Sequence, residues 1–170
     1  MFDLRSAEPD EAGVIAALHL RTVLVAYANI FPPDAPPPTV RELTDDWRAR
    51  LGASRVFAAI DDGTLVGVVV AGAYEGAGQL SRLHVDPMRW GEGIGRALYD
   101  RCIADIELSG HHDITLWVLE RNVRARSWYE RLGWIDTGRR APVYEPAAIN
   151  DALYRLTLDS LSTASDFKPA

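Results

Sequence analysis

Three groups of residues between positions 75 and 134 have types and spacings that could do chemistry. The first is Gly91-Glu92-Gly93-Ile94-Gly95-Arg96, which follows the run Gln79–Val85 and the turn Asp86-Pro87. Glycines where a strand gives way to a helix leave backbone amides unshielded by side chains. With a helix dipole behind them, such amides form an anion site suited to a pyrophosphate. Other nucleotide loops fit less well. Arg96 stands where a dinucleotide fingerprint carries a third glycine or alanine. Arg96-Ala97 also follows the last glycine, where a Walker-type loop needs lysine and then serine or threonine.

The second group is Asn122-Val123-Arg124-Ala125-Arg126-Ser127-Trp128-Tyr129, continuing to Gly133-Trp134. Asn122 and Tyr129 are two helical turns apart and share a face, while Ala125, Trp128 and Leu132 lie on an adjoining face that should pack inward. Tyr129 brings a hydroxyl donor. The third group holds candidate bases: Glu75 beside a glycine-rich turn, His84 within Gln79–Val85, and Glu120 just before Asn122. Histidine has an ordinary pKa suited to proton transfer near neutrality. Arg82, Arg89, Arg96, Arg124 and Arg126 concentrate positive charge around the glycine loop in a chain of net charge −6, a local bias that suits an anionic ligand. His111-His112 has no third ligand at metal spacing and reads as a surface loop, so no metal is expected.

In chain order, Leu80-x-x-Leu83-x-Val85-x-Pro87, the Gly91–Arg96 loop, and Asn122-x-x-Ala125-x-x-Trp128-Tyr129-x-x-x-Gly133-Trp134 resemble the GNAT superfamily of N-acetyltransferases. The likeness is close over Arg55–Trp134 and loose over the first 50 residues or so. It implies an α/β (α+β) fold: a mixed, mostly antiparallel sheet of about seven strands with one splayed parallel pair, flanked by about four helices. It also implies acetyl-CoA as cosubstrate, seated in a splay between Gln79–Val85 and Ile114–Leu119. Backbone groups of Leu83, His84 and Val85 would take the pantetheine arm. Gly91, Glu92, Gly93, Ile94, Gly95 and Arg96 would hold the pyrophosphate. Asn122 and Arg126 would contact the cofactor, and Tyr129 would act as general acid on the sulfur. The chain departs from the family at Trp90, where glutamine or arginine is common. Arg89, one position earlier, is the candidate substitute, and Trp90 is open to two readings: a lid beside the adenine or a packed core residue. The implied reaction is direct attack of a primary amine on the thioester. A small-molecule acceptor leads, with a peptide amine or a non-catalytic acyl-CoA sensor as alternatives. A homodimer fits the family, although no interface is legible.

The elements that must position these residues can be read from periodicity. Phe2–Ala7 predicts a first strand. Pro9-Asp10-Glu11 opens a helix with Val14, Ile15, Leu18 and Val25 on its apolar stripe. Pro32-Pro33 and Pro36-Pro37-Pro38 bar that helix from running much past Ile30. Thr39 caps a second helix to Leu51, with Glu42 completing a capping box. Arg55–Ile60 and Thr64–Ala73 form a hairpin across Asp61-Asp62-Gly63, Tyr74–Gly78 turns the chain, and Gln79–Val85 is a third strand. Gly93–Leu108 is helical, with Ile94, Leu98, Cys102 and Ile106 on one buried face. The remaining elements are a strand at Ile114–Leu119, a helix at Asn122–Leu132 stopped by Gly133, and strands at Trp134–Thr137 and Ala152–Leu158 around a long loop, Arg139–Asn150.

Composition bounds the function. The chain has 170 residues, 48% of them hydrophobic and 25% charged, which fits one soluble domain over residues 1–159. The polar stretch 160–170 reads as a disordered tail. An acidic surface is repelled by nucleic acid and anionic membranes, so neither is an expected partner. No apolar run reaches the roughly 20 residues of a membrane helix. The N-terminus has no basic region leading into an apolar core, and Cys102 has no second cysteine to pair with. A cytoplasmic location is the expectation.

Overall fold

The computed structural model describes residues 1–158; the expected tail and residue 159 lie outside them. Seven strands form one sheet: β1 (Asp3–Ser6), β2 (Arg55–Asp61), β3 (Thr64–Tyr74), β4 (Ala77–Val85), β5 (Asp113–Leu119), β6 (Ile135–Tyr144) and β7 (Ile149–Thr157). Four α-helices join them: α1 (Ala12–Ala26), α2 (Val40–Ala53), α3 (Ile94–Leu108) and α4 (Val123–Arg131). The spatial order is β1-β2-β3-β4-β5-β7-β6. Only β4 and β5 run parallel; the other neighbours are antiparallel.

Alternation along β2 and β3 sends apolar side chains to both faces of the sheet. Val56, Ala58, Val68 and Val70 meet α1 and α2 through Ile15, Leu18 and Trp47. Phe57, Ala59, Val69 and Ala71 join Leu98, Cys102 and Ile106 of α3 and Tyr129 of α4. The sheet is therefore the middle of three layers, which is why these strands read as continuous apolar runs.

Both hairpins of the meander turn through two residues of positive φ. They are Asp62 and Gly63 (47° and 73°) and Glu75 and Gly76 (49° and 83°), the backbone that a tight two-residue hairpin requires. The second turn is thus shorter than Tyr74–Gly78, and β4 begins at Ala77. The capping box on α2 is present: the Thr39 hydroxyl accepts from the Glu42 amide at 3.2 Å, and the Thr39 amide donates to the Glu42 carboxylate at 2.8 Å.

Two expectations need correction. The buried face of α1 is Ala12, Ile15, Ala16, His19, Thr22 and Val23, together with Leu18, whereas Val14 and Val25 face solvent. A polar histidine and threonine occupy the stripe, so apolar counting set the face slightly off. Residues 139–144 are strand, not loop: β6 and β7 form a hairpin across a short 3-10 turn, Glu145–Ala147. β6 is a sheet edge with two register shifts and mostly exposed side chains. It therefore has no alternation to read, and its Pro142 is tolerated as it would not be in a central strand.

Candidate active site

β4 and β5 pair only at Gly78↔Ile114 and Gln79↔Thr115. Beyond Gln79 they diverge, and β4 keeps its other neighbour, β3, as far as Val85. A bulge in β4 sharpens the divergence: Val70 pairs with Ser81 and Val68 with His84, and Arg82 sits at φ 54° between them. A bulge bends and twists its strand. The resulting cleft has a volume of about 590 Å³ and is lined by residues 79–84 and 116–119 of the two strands. Asn122, Ala125 and Tyr129 line it from α4, and His19, Tyr27, Phe31, Arg50 and Asp151 from elsewhere in the chain.

At one end of β4 the chain makes the glycine turn. Gly91 and Gly93 have φ of 93° and 84°, and Gly93 is the residue from which α3 starts. The first helical bond is from the Ala97 amide to the Gly93 carbonyl at 3.0 Å. The amides of Gly91, Gly93, Ile94, Gly95 and Arg96 therefore donate to no backbone or side-chain acceptor among the described residues. Free amides at the positive end of a 15-residue helix form an anion receptor. Because a Cβ at Gly93 would meet nothing within 4 Å, the cost of Gly93→Ala is that of the left-handed backbone, about 1 kcal/mol. We expect this variant to fold and to weaken the binding of an anionic ligand at the loop several-fold, with Gly93→Asn closer to the parent because asparagine tolerates this φ. Ligand titration beside urea denaturation checks this.

Arginine side chains supply less of that receptor than their sequence positions suggest. Arg89 donates to Asp61 at 2.8 Å and to Glu92 at 2.7 Å. Arg96 pairs with Asp100 one turn along α3. Arg126 turns to the β7 side, donating to the Tyr154 hydroxyl at 2.8 Å and the Glu120 carbonyl at 3.0 Å. Trp90 is half-buried; its indole donates to the Val85 carbonyl at 2.9 Å, and the Arg124 guanidinium lies 3.9 Å from its ring centre. Trp90 thus braces the end of β4 and carries a cation beside the loop.

α4 aims Asn122 and Tyr129 into the cleft, as their seven-residue spacing requires. The Asn122 side-chain Oδ1 accepts from the Ala125 amide at 3.1 Å and so caps α4, leaving the side-chain Nδ2 to donate. Gly133 ends the helix with φ 89°. The Gly133 amide donates to Glu130 at 3.1 Å and the Trp134 amide to Tyr129 at 3.1 Å, a Schellman arrangement that fixes Tyr129 by its own carbonyl. The Tyr129 ring is 8% exposed and packs against Trp128 and Trp134. Burial pushes its pKa up from the ordinary value, so the hydroxyl stays protonated, and it makes no hydrogen bond to a described residue.

The candidate bases are placed differently. Glu75 is exposed on the hairpin turn, bonded to Arg139 at 2.6 and 2.9 Å, which holds its pKa down at about 2. Glu120 is bonded to Arg140 at 2.9 Å. Neither lines the cleft. His84 does line it, but its ring is buried and stacked on His19 with centroids 4.0 Å apart. Its Nε2 is buried without a hydrogen-bond partner among the described residues. Burial drives the His84 pKa well below its ordinary value, which leaves a neutral ring of low basicity. His19, its Nδ1 accepting from the Trp47 indole at 3.2 Å, is lowered to about 4 by burial and by nearby Arg82.

This pair makes stability pH-dependent with a definite sign. Both folded values lie below the unfolded one near 6.5, so the contribution is complete above pH 6.5 and is lost as pH falls towards 4. For His19 alone the loss between pH 7 and pH 5 is about 2 kcal/mol. Paired carboxylates such as Glu11 and Asp46, held below their ordinary values, lose theirs only in more acid solution. Asp151, raised by burial, acts with the opposite sign above pH 4 or so. Urea unfolding at pH 7 and pH 5 should show the drop, and His19→Asn should remove much of it; a flat profile would contradict the buried neutral pair.

Several cleft residues carry no motif: His19, Tyr27, Arg50, Arg82 and Asp151. Of these, only Arg82 was singled out by the sequence, as one of a group of arginines suited to an anionic ligand. Among the described residues no group of three metal-ligating side chains occurs, and no helix is long and apolar enough to cross a membrane.

The model of the Acetyltransferase (GNAT) family matches residues 17–134, more than half of the chain. Among curated proteins, the mycothiol acetyltransferase of Beutenbergia cavernae is 40% identical over 57 residues, 34% of this chain. The match spans only 19% of that longer protein. Among solved structures, the ribosomal-protein-S18-alanine N-acetyltransferase of Escherichia coli aligns with TM-score 0.72 and 19% identity, covering 96% of this chain and 98% of that one. The PaiA N-acetyltransferase of Thermoplasma acidophilum, solved in complex with coenzyme A, aligns with TM-score 0.73 and 14% identity, covering 92% and 99%. At these identities the structural matches establish the fold, and the family match establishes membership: the chain belongs to the GNAT family of acetyltransferases.

Proposed function

We propose that the protein transfers the acetyl group of acetyl-CoA to a primary amine of a small molecule, by direct attack on the thioester within the β4–β5 cleft. The observation that carries this reading is the splay itself. One strand edge is left unpaired beyond Gln79, five free amides stand at its end, and a buried tyrosine hydroxyl faces the gap.

The residues fit the cosubstrate. The amides of Gly91, Gly93, Ile94, Gly95 and Arg96 suit a pyrophosphate. The β4 edge at Leu83 and His84 suits an amide-bearing arm that adds to the sheet like a short strand. At Val85 the fit is narrower, because the carbonyl already accepts from Trp90 and from the Thr22 hydroxyl at 3.2 Å. The Asn122 side-chain Nδ2 is free to donate into the same space.

The chemistry needs a neutral amine, donors for the oxyanion and a proton for the leaving sulfur. An alkyl amine has a pKa near 10 and must shed a proton as its bond to carbon forms. Asp151, a carboxylate that lines the cleft without a side-chain partner among the described residues, is the proton acceptor. Backbone amides around the β4 bulge supply the oxyanion donors, and Tyr129 protonates the departing thiolate.

A small acceptor is favoured over an extended peptide by the aromatic packing at the Phe31 wall of the cleft. Phe31, from the segment after α1, meets Tyr144 at the end of β6 with ring centres 6.2 Å apart. Both rings pack against the buried cluster of Ile30, Leu119 and Ile149. The test is thiol release from acetyl-CoA across a panel of amines, polyamines, amino acids and short peptides. Release that depends on a small amine is the expected result. Release only with peptides would reverse the acceptor assignment, and tight acetyl-CoA binding with no release would favour a sensor.

A further inference from the structure

Arg82 and Asp151 line the cleft as a weakly paired cation and an anion without a side-chain partner among the described residues. Arg82 makes no hydrogen bond to any described residue, and its one ion-pair contact is with Asp46 at 3.4 Å. That carboxylate is already engaged by Arg50 at 2.9 Å. The Arg82 side chain is only 37% exposed, and a guanidinium has five donors to satisfy. Asp151 sits on β7 opposite Leu119, half-buried, with no hydrogen bond and no ion pair among the described residues. The two groups feel each other electrostatically but do not pair. Leaving one cation and one anion poorly paired at a partly buried surface is costly.

We propose that this pair reads a dipolar acceptor: Arg82 takes the carboxylate of a free α-amino acid or a close analogue, and Asp151 takes its ammonium group. The inference rests on the acetyl-transfer reading above and narrows it to one substrate class. A guanidinium matches a carboxylate with two parallel hydrogen bonds, which gives orientation as well as affinity. His19 adds a neutral donor. Because its Nδ1 accepts from the Trp47 indole, its neutral ring carries the proton on Nε2, and the ring lines the same cleft. The two binding groups come from different strands on either side of the splay, so a ligand bridging them has its nitrogen at β7 and its carboxylate at the β4 bulge. Tyr27 and Phe31 provide apolar wall for a side chain. A peptide N-terminus or a simple alkylamine would satisfy Asp151 and leave Arg82 with only its 3.4 Å contact to Asp46. Sites with a buried group committed to one partner reject analogues that lack it by large factors.

The experiment compares kcat/KM for the common α-amino acids, their amides and their decarboxylated amines, using thiol release from acetyl-CoA. At least one amino acid should exceed its own amide and its own amine by tenfold or more. In Arg82→Asn that ratio should fall towards 1, through KM for the acceptor rather than KM for acetyl-CoA. Asparagine is chosen because it tolerates the positive φ of the bulge, so the strand can keep its shape. Arg82→Lys, which keeps charge but not the fork, should hold part of the preference. If carboxylate-free amines are acetylated as well as or better than amino acids, or if the ratio survives Arg82→Asn, the dipolar-acceptor inference is overturned while acetyl transfer stands. If acetyl-CoA binds but no amine releases thiol, both fall together. If the released thiol tracks peptides alone, the acceptor class is wrong and the cleft serves chain termini.

Discussion

Tyr129→Phe should lower kcat about a hundredfold with both substrates saturating, while acetyl-CoA binds within about twofold of the parent affinity. The substitution removes one oxygen and leaves the ring packed on Trp128 and Trp134. The hydroxyl makes no hydrogen bond to a described residue, so no partner is orphaned and stability should hold within about 0.5 kcal/mol. The loss therefore belongs to the transition state, where negative charge develops on the leaving sulfur. Burial supports the role: a tyrosine whose pKa is raised presents a protonated hydroxyl at every working pH, and the Schellman end of α4 holds its backbone in place. Full turnover in the variant would remove Tyr129 from the mechanism.

The second large effect concerns the hinge of the splay. Gly78 lies in β4 where the strand still pairs with β5. A Cβ there would run into the Ile106 side chain of α3, which is fully buried, and would lie 3.1 Å from the Cβ of His111. Gly78→Ala must push α3 away from the sheet or part the two strands, and overpacking of this kind costs about 2–3 kcal/mol. That corresponds to a fall in Tm of about 5–10 °C for a domain of this size. Gly72→Ala is the control, because its Cβ meets only the Ser54 hydroxyl at 3.8 Å. Thermal denaturation of the two variants side by side checks the argument. Equal stability would mean that Gly78 is not a contact point. Activity of Gly78→Ala should fall more than stability alone explains, since the same contact sets where β4 and β5 begin to part.

What the sequence revealed follows from how local each signal is. The glycine loop, the Asn122–Tyr129 spacing and the stop at Gly133 depend on neighbours within two turns of chain, and the structure places them as their spacing requires. The buried face of α3 was readable for the same reason: Ile94, Leu98, Cys102 and Ile106 recur at helical spacing on one apolar core. β6 was not readable, because an exposed edge strand with two register shifts and a proline leaves no alternation. The acceptor side of the cleft was hidden for a different reason. His19, Arg50, Arg82 and Asp151 come from four elements spread over most of the chain and converge only after folding. Nor could the sequence announce the bulge at Arg82, since a positive φ there falls on a residue type that seldom adopts it. The base candidates nearest the motifs in sequence, Glu75 and Glu120, are tied to Arg139 and Arg140 outside the cleft, whereas His84 lines it with a buried ring.

The most direct test of the central claim is to follow backbone amide resonances while coenzyme A is added to the intact protein. The loop amides of Gly91, Gly93, Ile94, Gly95 and Arg96 should shift strongly as they gain phosphate acceptors, and the β4 amides from Leu83 onward should shift with them. Dephosphorylated pantetheine should move the β4 amides and leave the loop unchanged. Binding that perturbs neither segment, or no binding at all, would contradict an acetyl-CoA site in the β4–β5 cleft.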